Sequence, residues 1–351
     1  MMESIAIITL YETGFKKGIK MASIREVAKL AGVSPATVSR VMNGTANVDD
    51  EKKQRVLKAI EETGFRPNEL ARALFKKSSK IIGVIVPNID NPFFSEAARA
   101  IEDEAFQRGY KMVVCNSNND PERELSNIEM LIQMKADGLI LMTNGEETGK
   151  NIEQCDIPVV VMDRKLSSGD KMVCIESDHY KGGCLATEHL IKCGCKKILS
   201  FRGPQKYSSG KERFRGYLDT CKKYKRDPFF VDCDYSYTDG LRAAKAALEK
   251  YPDLDGIVAC NDMAAMSAYK ILSKEGIRIP EDVQLVGFDD ISFSKRFTPE
   301  LTTIHQPIKE MGCRAVQMIL QDDEELKKEQ HIVLDVSLVE RETTLNIKEE
   351  Q

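Results

Sequence analysis

The sequence predicts two architectures in one chain: an all-α helix-turn-helix head with a hinge helix, then an α/β body of two lobes. Three observations predict them. Residues 21–66 spell three short helices, with capping residues at their starts and glycines at their ends. From residue 81 onward, apolar strand runs alternate with amphipathic helices, and there are too many such runs for one sheet. Charge is also split. The 351 residues carry a net charge of −4, yet residues 21–80 hold 12 Lys/Arg against 7 Asp/Glu. A basic head on an acidic body is the distribution expected when the head meets a polyanion.

In the head, Ser23 opens the first helix and Glu26 follows three residues later, forming a capping box. Ile24, Val27, Ala28 and Leu30 give its apolar stripe, and Gly32 stops it. Ser34 caps the second helix with Pro35 at the first helical position, where the missing N–H costs nothing. Asn43-Gly44 ends it. A third helix over "DDEKKQRVLKAIEETG" turns Val56, Leu57 and Ile60 inward and stops at Gly64. Helices this short are unstable alone, so they must bury one another. The short Gly-containing turn between the first two is the spacing of a helix-turn-helix. With Val38 and Val41 inward, Pro35, Ala36, Thr37, Ser39 and Arg40 remain outside. Such a helix start fits the DNA major groove, where Arg40 can read guanine through two hydrogen bonds and Ala36 can touch a thymine methyl. Ser34, Thr37 and Ser39 suit phosphate contacts, and Asn43 is grouped with them as a DNA contact.

The next stretch, "FRPNELARALFKKSSK", starts at Pro67, is helical in pattern and ends basic. In the body, "IIGVIV", "KMVVC", "DGLILM", "IPVVVMDR", "MVCIES", "KKILSF", "DGIVACND" and "VQLVGFDD" read as buried strands. Ligands in α/β sheets sit at the carboxyl ends of strands. Polar and aromatic residues gather there: Asn91, Phe93 and Phe94, then Asp163 and Arg164, Asn261, Asp289 and Gln306, with Arg213 at the start of a helix. Carboxylates accept from hydroxyls, arginine donates as a fork, and an aromatic face stacks on a ring's C–H face. The set suits a sugar or sugar acid better than a purine.

Other functions find less support. Hydrophobic content of 42% and charged content of 30% describe an ordinary soluble chain, and no apolar run is long enough to cross a bilayer. No signal peptide is legible, and ten scattered cysteines read as reduced thiols of a cytoplasmic protein. His189, Cys193 and Cys195 lie close together but lack a fourth nearby ligand, so neither a metal nor a cofactor is expected. There is no GxSxG and no P-loop. Asp163 and Asp289 could mimic a glycosidase pair, but an enzyme does not explain the head, and an exported solute-binding protein would share only the body. The expectation is a non-enzyme.

The segments "SIREVAKLAGVSPATVSRVMNG", "RPNELARAL" and "IIGVIVPNIDNPFF" resemble the lactose/galactose repressor (LacI/GalR) family of bacterial transcription regulators. The resemblance runs from about Met21 to about Thr344. It implies that Pro35, Ala36 and Arg40 face base edges, and that Leu74 wedges into the minor groove at the operator centre with Asn68, Ala71 and Arg72 beside it. It implies a homodimer on double-stranded operator DNA, a small effector between periplasmic-binding-protein-like lobes, and three crossovers near Asp178, Gln306 and 320–327. In the related ribose-binding branch, positions matching the strand-end residues hold the sugar. The tail after Val339 has no leucine heptads for a tetramer. The expected divisions are 1–20, an N-terminal extension that reads either as lying outside the native protein or as a disordered arm; 21–66, the head; 67–80, the hinge; and 81–347, the body. Within the body, the first lobe spans about 81–178 and 307–322, and the second about 179–306 and 323–347. Ligand binding that tightens, rather than releases, DNA binding is the alternative mode of control.

Overall fold

A computed structural model describes residues 22–43, 48–65, 78–142, 152, 155–165, 172–320 and 330–345. The expected hinge residues Asn68, Ala71, Arg72 and Leu74 and the extension 1–20 lie outside them. The chain divides into two compact units, 1–77 and 78–351.

In the first unit, α1 is Ile24–Ala31, α2 is Pro35–Asn43 and α3 is Asp50–Thr63. The capping box at Ser23 is complete: its N–H donates to the Glu26 carboxylate at 2.5 Å, and its hydroxyl accepts from the Glu26 N–H at 3.3 Å. Gly32 ends α1 in the left-handed region, φ 62°, where only glycine is unstrained. The core is small: Val27, Ala28, Ala31, Val38, Val56 and Ala59, with Ile24, Val41 and Ile60 against it. Leu30 and Leu57, expected inward, are 53% and 46% exposed. Each lies roughly 100° around its helix from the buried row, and Ala31 and Ala59 fall in that row instead.

In the second unit, the strands of the first half are β1 (Ile81–Val86), β2 (Lys111–Asn116), β3 (Gly138–Leu141), β4 (Val159–Met162), β5 (Met172–Ser177) and β6 (Ile198–Arg202). Then come β7 (Phe229–Asp232), β8 (Gly256–Val258), β9 (Gln284–Asp289), β10 (Thr302–His305), β11 (His331–Leu334) and β12 (Ser337–Val339). Two six-stranded sheets result, β11-β5-β4-β3-β1-β2 and β12-β10-β9-β8-β6-β7. Among the described residues every pairing is parallel except β10 with β12, and the central strands are buried apart from half-buried Ile81 at the start of β1, as parallel sheets covered on both faces require.

The helices that cover them are α4 (Pro92–Gln107), α5 (Pro121–Gln133), α6 (His179–Lys192), α7 (Ser208–Lys223), α8 (Tyr237–Lys250), α9 (Asp262–Lys274) and α10 (Ile308–Leu320). The chain passes between sheets at Asp178, after β5, and at Gln306–Pro307, after β10. The third passage was expected within 320–327, giving 323–347 to the second lobe. It falls instead at Asp335–Val336, because β11 pairs with β5 of the first sheet. Among the described residues, no helix is long and apolar enough to cross a membrane.

Candidate functional site

On the head, Ser34 accepts from the Thr37 N–H at 3.1 Å, and the two hydroxyls share a hydrogen bond at 2.9 Å. This fixes the start of α2. Val38 is fully buried, which turns Pro35, Ala36 and Arg40 to solvent and leaves Thr37 and Ser39 half-buried. The side chain of Asn43 lies outside the described residues.

In the body, a cavity of about 590 Å³ lies between the lobes. Asn91, Phe93, Phe94, Asp163 and Arg164 line it from the first lobe, and Arg213, Asn261 and Asp289 from the second. Gln306 does not line it. It is buried behind the wall and donates from Nε2 to Asp289 Oδ1 at 2.7 Å, because the crossover turns it toward that carboxylate. Asn91 and Asn261 face the cavity while also capping helices: each accepts from backbone, Phe93 N–H at 3.1 Å and Ala264 N–H at 2.9 Å.

Three tyrosines in the wall, Tyr207, Tyr235 and Tyr237, were missed. Each lies past the carboxyl end of a second-lobe strand, β6 and β7; the apolar run of β7 is only four residues long and was not recognised as a strand. Tyr207 carries the Arg164 guanidinium on its ring at 4.0 Å, a cation–π contact between the lobes.

Arg213 is the hub of the second-lobe wall. Its Nη1 donates to the Cys260 carbonyl at 2.6 Å, its Nε to His179 Nδ1 at 3.3 Å, and its Nη2 lies 3.4 Å from Asp289 Oδ1. The guanidinium also lies 3.7 Å over the Phe288 ring. Gly183 makes this possible: a Cβ there would collide with the Arg213 carbonyl, so only glycine lets α6 approach α7 so closely. Since His179 Nδ1 accepts, its proton is on Nε2, which donates to the Asp163 carbonyl at 3.1 Å. Burial first, and the Arg213 charge second, hold this histidine well below its ordinary pKa, so it stays neutral.

Asp163 and Asp289 both have left-handed backbones, φ 75° and 119°, a strained conformation for aspartate that the surrounding structure must hold. Burial pushes both carboxyls above the usual range; Arg164 and Arg213 pull Asp163 back, and Arg213 pulls Asp289 back. Asp163 Oδ2 lies 3.4 Å from Arg164 Nε. Its Oδ1 has no hydrogen-bond partner in the protein.

Residues 79–339 match the model described as periplasmic binding proteins and sugar binding domain of the LacI family. Residues 23–68 match that of bacterial regulatory proteins, lacI family. The chain belongs to the LacI family. Within it, this LacI-family chain is 38% identical over 325 residues to the ribose operon repressor of Halalkalibacterium halodurans, covering 92% of this chain and 97% of that protein. It is 33% identical over 339 residues to the HTH-type transcriptional repressor PurR of Haemophilus influenzae, covering 93% of this chain and all of that one. Its fold matches the lac repressor dimer bound to operator and the anti-inducer ONPF with a TM-score of 0.83 and 28% identity, over 93% of this chain and all of that one. The two-part organisation of the chain is therefore that of a bacterial regulator: a DNA-binding helix-turn-helix followed by a two-lobed effector domain.

Proposed function

We propose that this chain is a cytoplasmic transcriptional repressor of a sugar-use operon, that it binds operator DNA as a dimer, and that a ribose-like sugar in the interlobe cavity controls it. One observation carries the sugar reading. Carboxylates and guanidiniums from both lobes face one cavity together with aromatic rings. Asp163 and Asp289 each accept a sugar hydroxyl, Arg164 donates, and Phe93 or Phe94 lies against the C–H face. Similarity to a ribose operon repressor favours a pentose over the purine suggested by the similarity to PurR, since the wall presents acceptors for hydroxyls.

Control follows from a ligand that touches both lobes. It favours one lobe arrangement, and a differential affinity worth roughly 1–3 kcal/mol is enough to change DNA affinity several-fold or more. On the head, Arg40 and Ala36 read bases while Ser34 and Thr37 hold phosphate. Asn68, Ala71, Arg72 and Leu74 act at the operator centre in this reading. The chain is a binder, not an enzyme: Asp163 and Asp289 serve as hydroxyl acceptors beside their arginines.

The test selects a DNA site from a random pool with the full-length protein, then follows mobility shift while titrating ribose, other pentoses, sugar acids and purine bases. Release by a pentose is the expected result. Tightening by a ligand would assign the corepressor mode, and a response to purines alone would overturn the sugar assignment.

A further inference from the structure

Away from the cavity, three metal-ligating side chains converge on the outer edge of the first sheet. β11 lies alongside β5 with His331 opposite Cys174 and Val333 opposite Glu176. Side chains alternate along a strand, so Cys174 and Glu176 share a face and His331 joins them from the next strand. The donor atoms of all three lie within 4.8 Å of one another. Glu176 Oε1 and His331 Nε2 are already 2.7 Å apart, and the Cys174 thiol donates to the Arg164 carbonyl at 3.4 Å. We propose that Cys174, Glu176 and His331 form a binding site for a divalent transition-metal ion of the zinc type, with the fourth position open to water.

The donor set selects the ion. Thiolate and imidazole favour zinc, cobalt or nickel, whereas calcium and magnesium take oxygen ligands. Bonds of about 2.0–2.3 Å place tetrahedral donors about 3.5 Å apart. The Glu176–His331 contact must open slightly and the sulfur move in, which side-chain rotations accomplish. Of the charged groups acting on Cys174 and Glu176 from outside the cluster, Lys165 is cationic and Asp163 anionic, so they offset one another. Binding requires loss of the thiol proton to solvent, which leaves thiolate and carboxylate to neutralise the ion. An ion there ties β5 to β11, the strands that lead into the passages at Asp178 and Asp335.

Cobalt(II) titration of the full-length protein tests this, read by the thiolate-to-cobalt charge-transfer band and by equilibrium dialysis. The expected result is one ion per chain, loss of the band in Cys174→Ser, and affinity about tenfold or more weaker in His331→Ala and Glu176→Gln. Cys193→Ser, beside His189 in the second lobe, should keep the full signal. Zinc should also raise the thermal midpoint of the wild type and not that of Cys174→Ser. Circular dichroism establishes that each variant is folded. An absent band, a band unchanged in folded Cys174→Ser, or one lost only in Cys193→Ser would overturn the site. None of these readouts depends on DNA or sugar binding.

Discussion

The two lobes repeat one topology over their first five strands, and they differ in how each holds the same carboxylate. The orders β2-β1-β3-β4-β5-β11 and β7-β6-β8-β9-β10-β12 correspond, although β12 runs antiparallel to β10 where β11 runs parallel to β5. Asp163 at the end of β4 and Asp289 at the end of β9 thus occupy equivalent places, both on left-handed backbone. In the second lobe, Asp289 is fixed by Gln306 at 2.7 Å and Arg213 at 3.4 Å. In the first lobe, Asp163 has Arg164 at 3.4 Å and one oxygen unpartnered. The comparison teaches that equivalent residues can be held differently: Asp289 is braced by Gln306 and Arg213, whereas Asp163 has a single arginine close by and a buried oxygen with no hydrogen-bond partner.

The harshest way to break this comparison is Arg213→Ala. It strips a buried cation from Asp289, His179 and the Cys260 carbonyl, and should destabilise the body by about 3–5 kcal/mol in urea unfolding. A loss below about 1 kcal/mol would show that the second-lobe wall is not structural.

The next effect concerns Asp262, which accepts from the Ile291 N–H at 3.0 Å, Ser294 at 2.7 Å and Thr303 at 2.5 Å, and so fixes the loop after Asp289. Burial, against these three donors, pushes its carboxyl up to about 6. The folded state then holds this proton more tightly than the unfolded chain, so stability falls as pH rises from about 4 to about 6, by up to about 3 kcal/mol. Buried Asp163 and Asp289 add slopes of the same sign, whereas His179 and His189, both held below their ordinary pKa, contribute a rise up to about pH 6.5. The Asp262 contribution is therefore read as a difference: relative to the wild type, Asp262→Asn should gain stability as pH rises from about 4 to about 6, and parallel profiles of the two proteins would assign the slope elsewhere.

Asp163→Asn sharpens the contrast. It should leave stability equal or higher, while lowering sugar affinity by about 1.5–3 kcal/mol through loss of a charged acceptor. Thermal unfolding and calorimetry separate the two effects. Arg40→Ala sets the exposed head beside the buried wall: specific binding should drop by about 1–3 kcal/mol at one base pair per half-site, with body stability unchanged. A uniform loss over all DNA sequences would make Arg40 a phosphate contact.

Much of this was legible in the sequence because caps and strand ends are local signals. Ser23 with Glu26, Ser34 with Pro35, and the aspartates ending "VVVMDR" and "LVGFDD" stand where the structure has them. What was not legible depends on which surfaces meet. Leu30 and Leu57 looked like core by composition, yet small alanines fill the rows where the helices approach. The short apolar run at His331–Leu334 carries no mark of the sheet it joins, so the third passage was misplaced. Gln306 looked like a ligand residue because it ends a strand; only the crossover shows it serving Asp289. Tyr207 and Tyr235 lie in loops whose path into the cavity is set by tertiary packing.

The central claim, that one sugar engages the first-lobe and second-lobe walls together, is tested most directly by isothermal titration calorimetry. D-ribose and related pentoses are titrated into the wild type, the first-lobe variant Asp163→Asn and the second-lobe variant Asp289→Asn, each folded by circular dichroism. The account predicts one site per chain in the wild type and affinity at least about tenfold weaker in both variants, a loss of about 1.4 kcal/mol or more. Pentose affinity unchanged in folded Asp163→Asn would contradict it.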